Sequence, residues 1–250
     1  VEHVEEVEEV EEEVLRINCW SSPRNLSTAL MYSWAQRADC TAVDEPIYAH
    51  YLRVTGRRHP GDVDVLGAQD NNGAAVVREV MLGAYATPVV FFKQMAKHLV
   101  DLDRSFLPQF RNILLTRDPY DMLTSLQVQL PDLTLADTGF PEILEILEWL
   151  LANGQEPIVV DSKVLLQDPP GVLATLCDRL GLCFDDAMLA WPAGPKAQDG
   201  VWAKHWYHSV HASTGFGTWE PKDATLLPSV EPVLAEAQAI YERLLPWLIR

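Results

Sequence analysis

The residue pattern predicts an α/β fold built on an open, mostly parallel β-sheet flanked by helices, and three observations carry that expectation. Short apolar runs suited to buried strands recur at 15–19, 41–43, 88–92, 112–116 and 157–160. Stretches with helical spacing separate them, the alternation that builds parallel sheets. Polar and charged residues stand directly after these runs, at the sheet edge where open parallel sheets bind ligands. A chain of 250 residues suits one such domain, which buries roughly 70 to 75% of its unfolded surface and needs no covalent staples.

Residues 1–13 form an acidic N-terminal extension holding eight glutamates, with valines at 1, 4, 7, 10 and 14 on one approximate helical stripe. Dense like charge and β-branching both weaken a lone helix, so this segment is assigned no chemistry. The rest, 14–250, is read as one domain. Nearly half of the net charge of −17 comes from this extension: outside it, 19 basic residues face 28 acidic ones. An acidic body excludes nucleic acid as a partner, which demands a basic face. It still allows a small anion held by local groups.

Leu15, Ile17 and Cys19 lead into Ser21-Ser22-Pro23, a strand breaking into a loop. Ser27 or Thr28 then caps a helix carrying Leu26, Leu30 and Trp34. A helix start presents unpaired N–H groups and the positive end of the macrodipole, so an anion is expected there, with Arg24, Asn25, Ser27 and Thr28 as donors. No Gly-Lys-Ser/Thr follows, so this is not a Walker A loop.

The next strand, 41–43, ends at Asp44-Glu45-Pro46, where the proline biases Glu45 to an extended backbone at the strand's edge. Residues 55–74, rich in Gly, Asp and Asn, read as a long loop. Lys93 stands at the end of the 88–92 strand and Arg117 at the end of the 112–116 strand. A helix after Pro119 carries Met122, Leu123, Leu126 and Leu130; others run from Pro141 to Ala152 and from Pro170 to Leu180, the latter stopped by Gly181, and a last helix runs from about Pro228 to Arg250. Arg117 and Ser125, eight residues apart with a helix between them, can reach one anion near the sheet edge. That is a second anion site, separate from the 21–28 loop, and it suggests a ligand with two separated phosphates.

Cys19, Cys40, Cys177 and Cys183 show no C-x-x-C pair, so free thiols in a reducing compartment are expected. No apolar run reaches the roughly 18 residues that span a bilayer, and no signal-peptide order opens the chain. The expectation is a cytoplasmic protein with no membrane partner. His205, His208 and His211 recur every third residue, but no fixed carboxylate completes a metal set. With Trp202, Trp206 and Tyr207 they read as a wall over a pocket or as core packing.

The segments SSPRNLSTAL, ILLTRDPYDMLTSL and VVDSKVLLQDPPGVLATLCDRLGLCF resemble the sulfotransferases that use 3′-phosphoadenosine 5′-phosphosulfate (PAPS). VDEPIYAHYLRVTG and DGVWAKHWYHSVHASTGF are similar to the sulfotransferase-like part of the plant branched-chain-aminotransferase-like proteins. The resemblance covers about residues 14–217 and implies a P-loop-type, sulfotransferase-like fold. It implies that Arg24, Asn25, Leu26, Ser27 and Thr28 hold the 5′-phosphosulfate, Arg117 and Ser125 the 3′-phosphate, and Ser213, Thr214 and Gly215 lie in a donor-covering loop. Lys93 would approach the sulfuryl group and Glu45 would act as general base, with His98 as second candidate. PAPS is then the donor and 3′-phosphoadenosine 5′-phosphate (PAP) the product, with no metal expected and a small-molecule hydroxyl or amine as acceptor. The chain departs from the family where a loop glycine is Leu26 and a lysine is Arg24, and where Ala29 replaces the aromatic that stacks on adenine. A non-catalytic nucleotide-binding protein and, further off, a P-loop kinase are the alternatives. Acceptor identity and oligomeric state stay open.

Overall fold

The computed structural model describes residues 14–221 and 224–249; the acidic extension assigned to 1–13 lies outside the described residues. Five strands form one sheet: β1 (Leu15–Ser21), β2 (Cys40–Asp44), β3 (Val89–Met95), β4 (Arg111–Thr116) and β5 (Ile158–Asp161). Their order is β2-β3-β1-β4-β5, and every pairing is parallel. The order reverses at β1, with β2 and β3 on one side and β4 and β5 on the other. Loops leaving β1 and β4 diverge there and open a crevice at the strands' C-terminal ends.

The connections are helical: α1 (Ser27–Trp34), α2 (Tyr48–Thr55), α3 (Asp62–Ala68), α4 (Gly73–Val76), α5 (Pro119–Leu126), α6 (Leu135–Thr138), α7 (Phe140–Ala152), α8 (Ser162–Gln167), α9 (Pro169–Leu180), α10 (Ala203–Trp206), α11 (His208–His211) and α12 (Glu231–Leu244). Alternate strand residues feed two cores, one on each face of the sheet. On one face Ile17, Cys19, Phe91, Ile113 and Leu115 pack with Leu30 and Trp34 of α1 and Leu173 and Leu176 of α9. On the other, Trp20, Val90, Phe92, Leu114 and Val159 pack with Ile143, Ile146, Leu147 and Leu150 of α7. All four cysteines are free. Among the described residues no helix is long and apolar enough to cross a membrane.

Three sequence expectations are corrected. The 55–74 stretch is not a loop throughout, because α3 and the start of α4 lie within it. Asp62 and Asp64 in the first turn of α3 suit the positive helix end, and Val65 is fully buried against the aromatic wall of α2. Second, β3 runs on to Met95, so Lys93 sits inside a strand. Third, the last helix ends at Leu244. A 3-10 turn, Leu245–Trp247, follows around Pro246, and Ile249 N–H then donates to Val159 O at 3.0 Å.

Candidate active site

A cleft of about 1070 Å³ opens at the C-terminal ends of the strands. Of the residues proposed from the sequence, Thr214 alone does not line it. Its charge differs from that of the chain as a whole: seven of the 19 basic side chains line it, against Glu45 and Asp137 from 36 acidic ones.

At one end lies the loop from β1 to α1. Ser27 is the first helical residue, and the cap position belongs to Leu26, whose side chain caps nothing. The expected hydroxyl cap at Ser27 or Thr28 is therefore absent, and the first-turn residues Ser27, Thr28 and Ala29 line the cleft, with no side-chain cap on the helix's positive end. Arg24 (φ 64°) and Leu26 (φ 65°) are left-handed, a conformation costing non-glycine residues about 1–2 kcal/mol each. Leu26 thus stands where a glycine would sit without strain. Asn25 does not reach into the cleft with its amide: Nδ2 donates to Leu115 O at 3.2 Å, tying the loop to β4. Ser22 Oγ is buried without a partner among the described residues and faces the cleft.

Arg117 and Ser125 meet Arg24 here. Arg24 Nε donates to Ser125 Oγ at 3.1 Å, and Arg117 Nη1 donates to Arg24 O at 2.9 Å. The two anion positions expected to be separate are joined through Arg24 into one rim. Beside it Lys163 Nζ lies 4.4 Å from the centre of the Trp219 ring. None of these three cations has a carboxylate partner among the described residues. Burial pulls the Arg117 guanidinium below its ordinary range, and Arg24 adds to that.

Deeper in the cleft the pattern inverts. Lys93 is buried, and its ammonium donates to Asp44 Oδ1 at 3.1 Å, to Glu45 Oε1 and to Tyr207 Oη. Three protons meet three acceptors. Tyr207 O–H in turn donates to Asp44, and Trp202 Nε1 donates to Tyr207 Oη at 3.1 Å. Lys93 is therefore an anchor inside a closed network, and the approach to a sulfuryl group that the resemblance implies requires one of these bonds to be exchanged. Burial alone would lower its pKa; Asp44, Glu45 and Tyr207 outweigh it and hold the ammonium well above its ordinary value.

Glu45 takes φ 39°, not the extended backbone expected before Pro46, and is fixed there by backbone: its N–H donates to Lys93 O at 2.8 Å, and its carbonyl accepts Gln69 Nε2 at 3.0 Å. Burial raises the Glu45 carboxyl above its ordinary 4.5, Lys93 pulls it back and Asp44 raises it again. His98 Nδ1 lies 3.5 Å from Glu45 Oε2 and makes no hydrogen bond. Its ring stacks between Tyr48 (centroids 4.5 Å) and Tyr51 (4.6 Å). Burial, then Lys97, hold it well below 6.5. His98 is a neutral ring enclosed between two tyrosines.

The segment after 196 closes the cleft with aromatic rings, Trp202, Trp206 and Tyr207, and not with the histidines between them. His211 Nε2 pairs with Asp199 Oδ2 at 2.9 Å, and His205 packs where a side chain on Gly61 would stand. Among the described residues no group of three His, Cys, Asp or Glu side chains is placed to hold a metal ion. Ser213 Oγ accepts Trp191 Nε1 and donates to Val210 O, Thr214 O accepts Trp191 N–H, and Gly215 bridges to Ala190. These three residues stitch the covering segment to the body. Gly215 leaves no room for a side chain, since a Cβ would lie 2.9 Å from Leu189 O.

Sequence reasoning missed Arg57, Arg58, Lys97, Lys163 and Trp219, all of which line the cleft. The signal was thin: Arg57-Arg58 follow a glycine within the stretch read as loop, and Lys97 adjoins His98.

A family model described as a sulfotransferase domain matches residues 15–244. Branched-chain-amino-acid aminotransferase-like protein 1 of Arabidopsis thaliana is 40% identical over 203 residues, and protein 2 of the same plant is 36% identical over 203. Each alignment takes in 81% of this chain but 36% of the relative, so the chain spans about a third of those proteins' length. Among solved structures, a sulfotransferase from Alicyclobacillus acidocaldarius aligns over 93% of this chain and 97% of its own with a TM-score of 0.52 at 15% identity, a likeness of fold.

Proposed function

Because the chain belongs to the sulfotransferase-domain family, we propose that it transfers a sulfuryl group from PAPS to a hydroxyl or amine of a small acceptor. The observation that carries this is the charge inversion: an acidic chain gathers seven basic side chains on one cleft, and three of them rest on neutral groups. Such cations accept an anion without first breaking an ion pair.

A two-phosphate nucleotide fits this rim. Arg24, Arg117 and Ser125 would hold the 3′-phosphate. The uncapped first turn of α1, with Ser27 and Thr28, would hold the 5′ end, and Lys163 with Trp219 offers a cation and a ring beside it. When bound, PAPS supplies an activated sulfuryl group. The chain's part is positioning and charge stabilisation. Glu45 accepts the acceptor's proton, for which a carboxyl raised by burial is suited. Lys93 orients that carboxylate and keeps it ionisable, Asp44 and Tyr207 hold Lys93, and the rings of Trp202, Trp206 and Tyr207 shield the cleft.

Calorimetric titration with PAP, with and without Mg²⁺, tests the reading. Metal-independent binding that weakens sharply for adenosine 5′-monophosphate, which lacks the 3′-phosphate, supports it. No binding of PAP overturns it, and a requirement for Mg²⁺ points to the kinase alternative.

A further inference from the structure

The cleft carries further cations, beside Tyr51 and His59, that the proposed donor contacts do not use. Arg57 follows α2, and Lys97 lies in the 3-10 turn after β3. Both line the cleft, and neither side chain has an ion-pair or hydrogen-bond partner among the described residues. Lys97 Nζ lies 5.9 Å from the Tyr51 ring centre. His59, with its Nδ1 2.6 Å from Tyr48 Oη and its ring 5.8 Å from that of Tyr51, is pushed down to about 4 by burial and then by Lys97 and Arg57. It is therefore neutral, and the two cations share its neighbourhood. Arg58 is excluded from the set because it pairs with Asp62 at 2.6 Å.

A wall of aromatic rings beside two cations that form no ion pair among the described residues, with the carboxylates of Glu45 and Asp137 also on the lining, suits a particular class of molecule. Tyr48 and Tyr51 are buried against His98, so the open ring surface is that of Trp206, which lines the same cleft and is 44% exposed, and a partly buried lysine with no ion-pair partner is costly unless its occupant supplies one. We infer that the acceptor is itself an anion: a molecule with an aromatic or flat apolar body, a carboxylate or similar oxyanion directed to Arg57 and Lys97, and the hydroxyl or amine to be modified directed to Glu45. This deepens the function proposed above and rests on it for the identity of the modified group.

The test uses the full chain, saturated with PAP, and calorimetric titration of 4-hydroxyphenyl carboxylates with one to three methylenes alongside their primary amides. The expected result is a preference of about tenfold or more for the acid over its amide for at least one length. That preference should be abolished in R57Q/K97Q while PAP affinity stays within twofold. Equal binding of acid and amide, no binding of any probe, or an R57Q/K97Q protein that keeps the preference overturns the inference. Loss of PAP binding in R57Q/K97Q also overturns it, because the two cations would then belong to the donor. Failure of the wild-type protein to bind PAP sinks the function proposed above instead. The acid and amide pairs are then read on the protein alone, with the same two outcomes.

Discussion

The two halves of the cleft spend positive charge in opposite ways. At the rim Arg24 and Arg117 rest on a hydroxyl and a backbone carbonyl. At the centre Lys93 is buried and closed by Asp44, Glu45 and Tyr207. A cation on neutral partners is ready for an incoming anion. A buried cation already paired holds its partners in place and loses heavily if either is removed. A count of basic residues at a sheet edge does not separate these roles; the partners do.

Substitutions that treat both halves alike would break this contrast, and those that split them would sharpen it. The largest effect is expected at the centre: Glu45→Gln should lower turnover about 10²- to 10⁴-fold with PAP affinity unchanged, measured by PAP release and calorimetry. Lys93→Met should cost about 3–5 kcal/mol in chemical denaturation, because it leaves buried carboxylates unpaired. The same variant removes the group that pulls the Glu45 carboxyl down, so the acidic limb of its kcat/KM profile should move to higher pH.

At the rim, Arg117→Ala should weaken PAP roughly ten- to a hundredfold while barely changing adenosine 5′-monophosphate, with folding stability little altered. In the unmodified protein kcat/KM should fall as pH drops through the Glu45 pKa, since the base works only when ionised. The midpoint should lie above 4.5, the direction in which burial shifts this group. The smallest effect belongs to Leu26→Gly, which relieves a left-handed backbone but loses glycine's entropy and some packing, and should leave stability within about 1 kcal/mol. By contrast, Leu30→Ala in the core should cost about 2–5 kcal/mol.

What could be read before any coordinates was what neighbouring residues decide among themselves. The five apolar runs became the five strands, because a short β-favouring stretch bounded by Pro, Ser and Gly has few other ways to bury itself. The helix stopped by Gly181 was legible from the same local chemistry, and Gly181 takes the left-handed φ of 76° that a C-cap uses. The address of Glu45, Lys93 and Arg117 at one edge of the sheet followed from strand direction alone. The helix of 62–68 escaped notice because its glycine and aspartate content masks a single buried valine, and only packing on α2 gives that valine its weight.

The partners of each charge were decided in three dimensions. Tyr207 reaches Lys93 across 114 residues of chain, and Arg24 reaches Ser125 across 101. No local pattern carries such pairings, since they exist only once the sheet has set which loops share an edge. The sequence by itself determined that a polar loop and a helix start follow β1, because neighbouring residues set that break; that the helix goes uncapped at Leu26 was decided by the folded backbone. The tertiary structure alone decided which cations remain free to meet an anion and which are already spent, because a side chain's electrostatic role depends on what surrounds it in space.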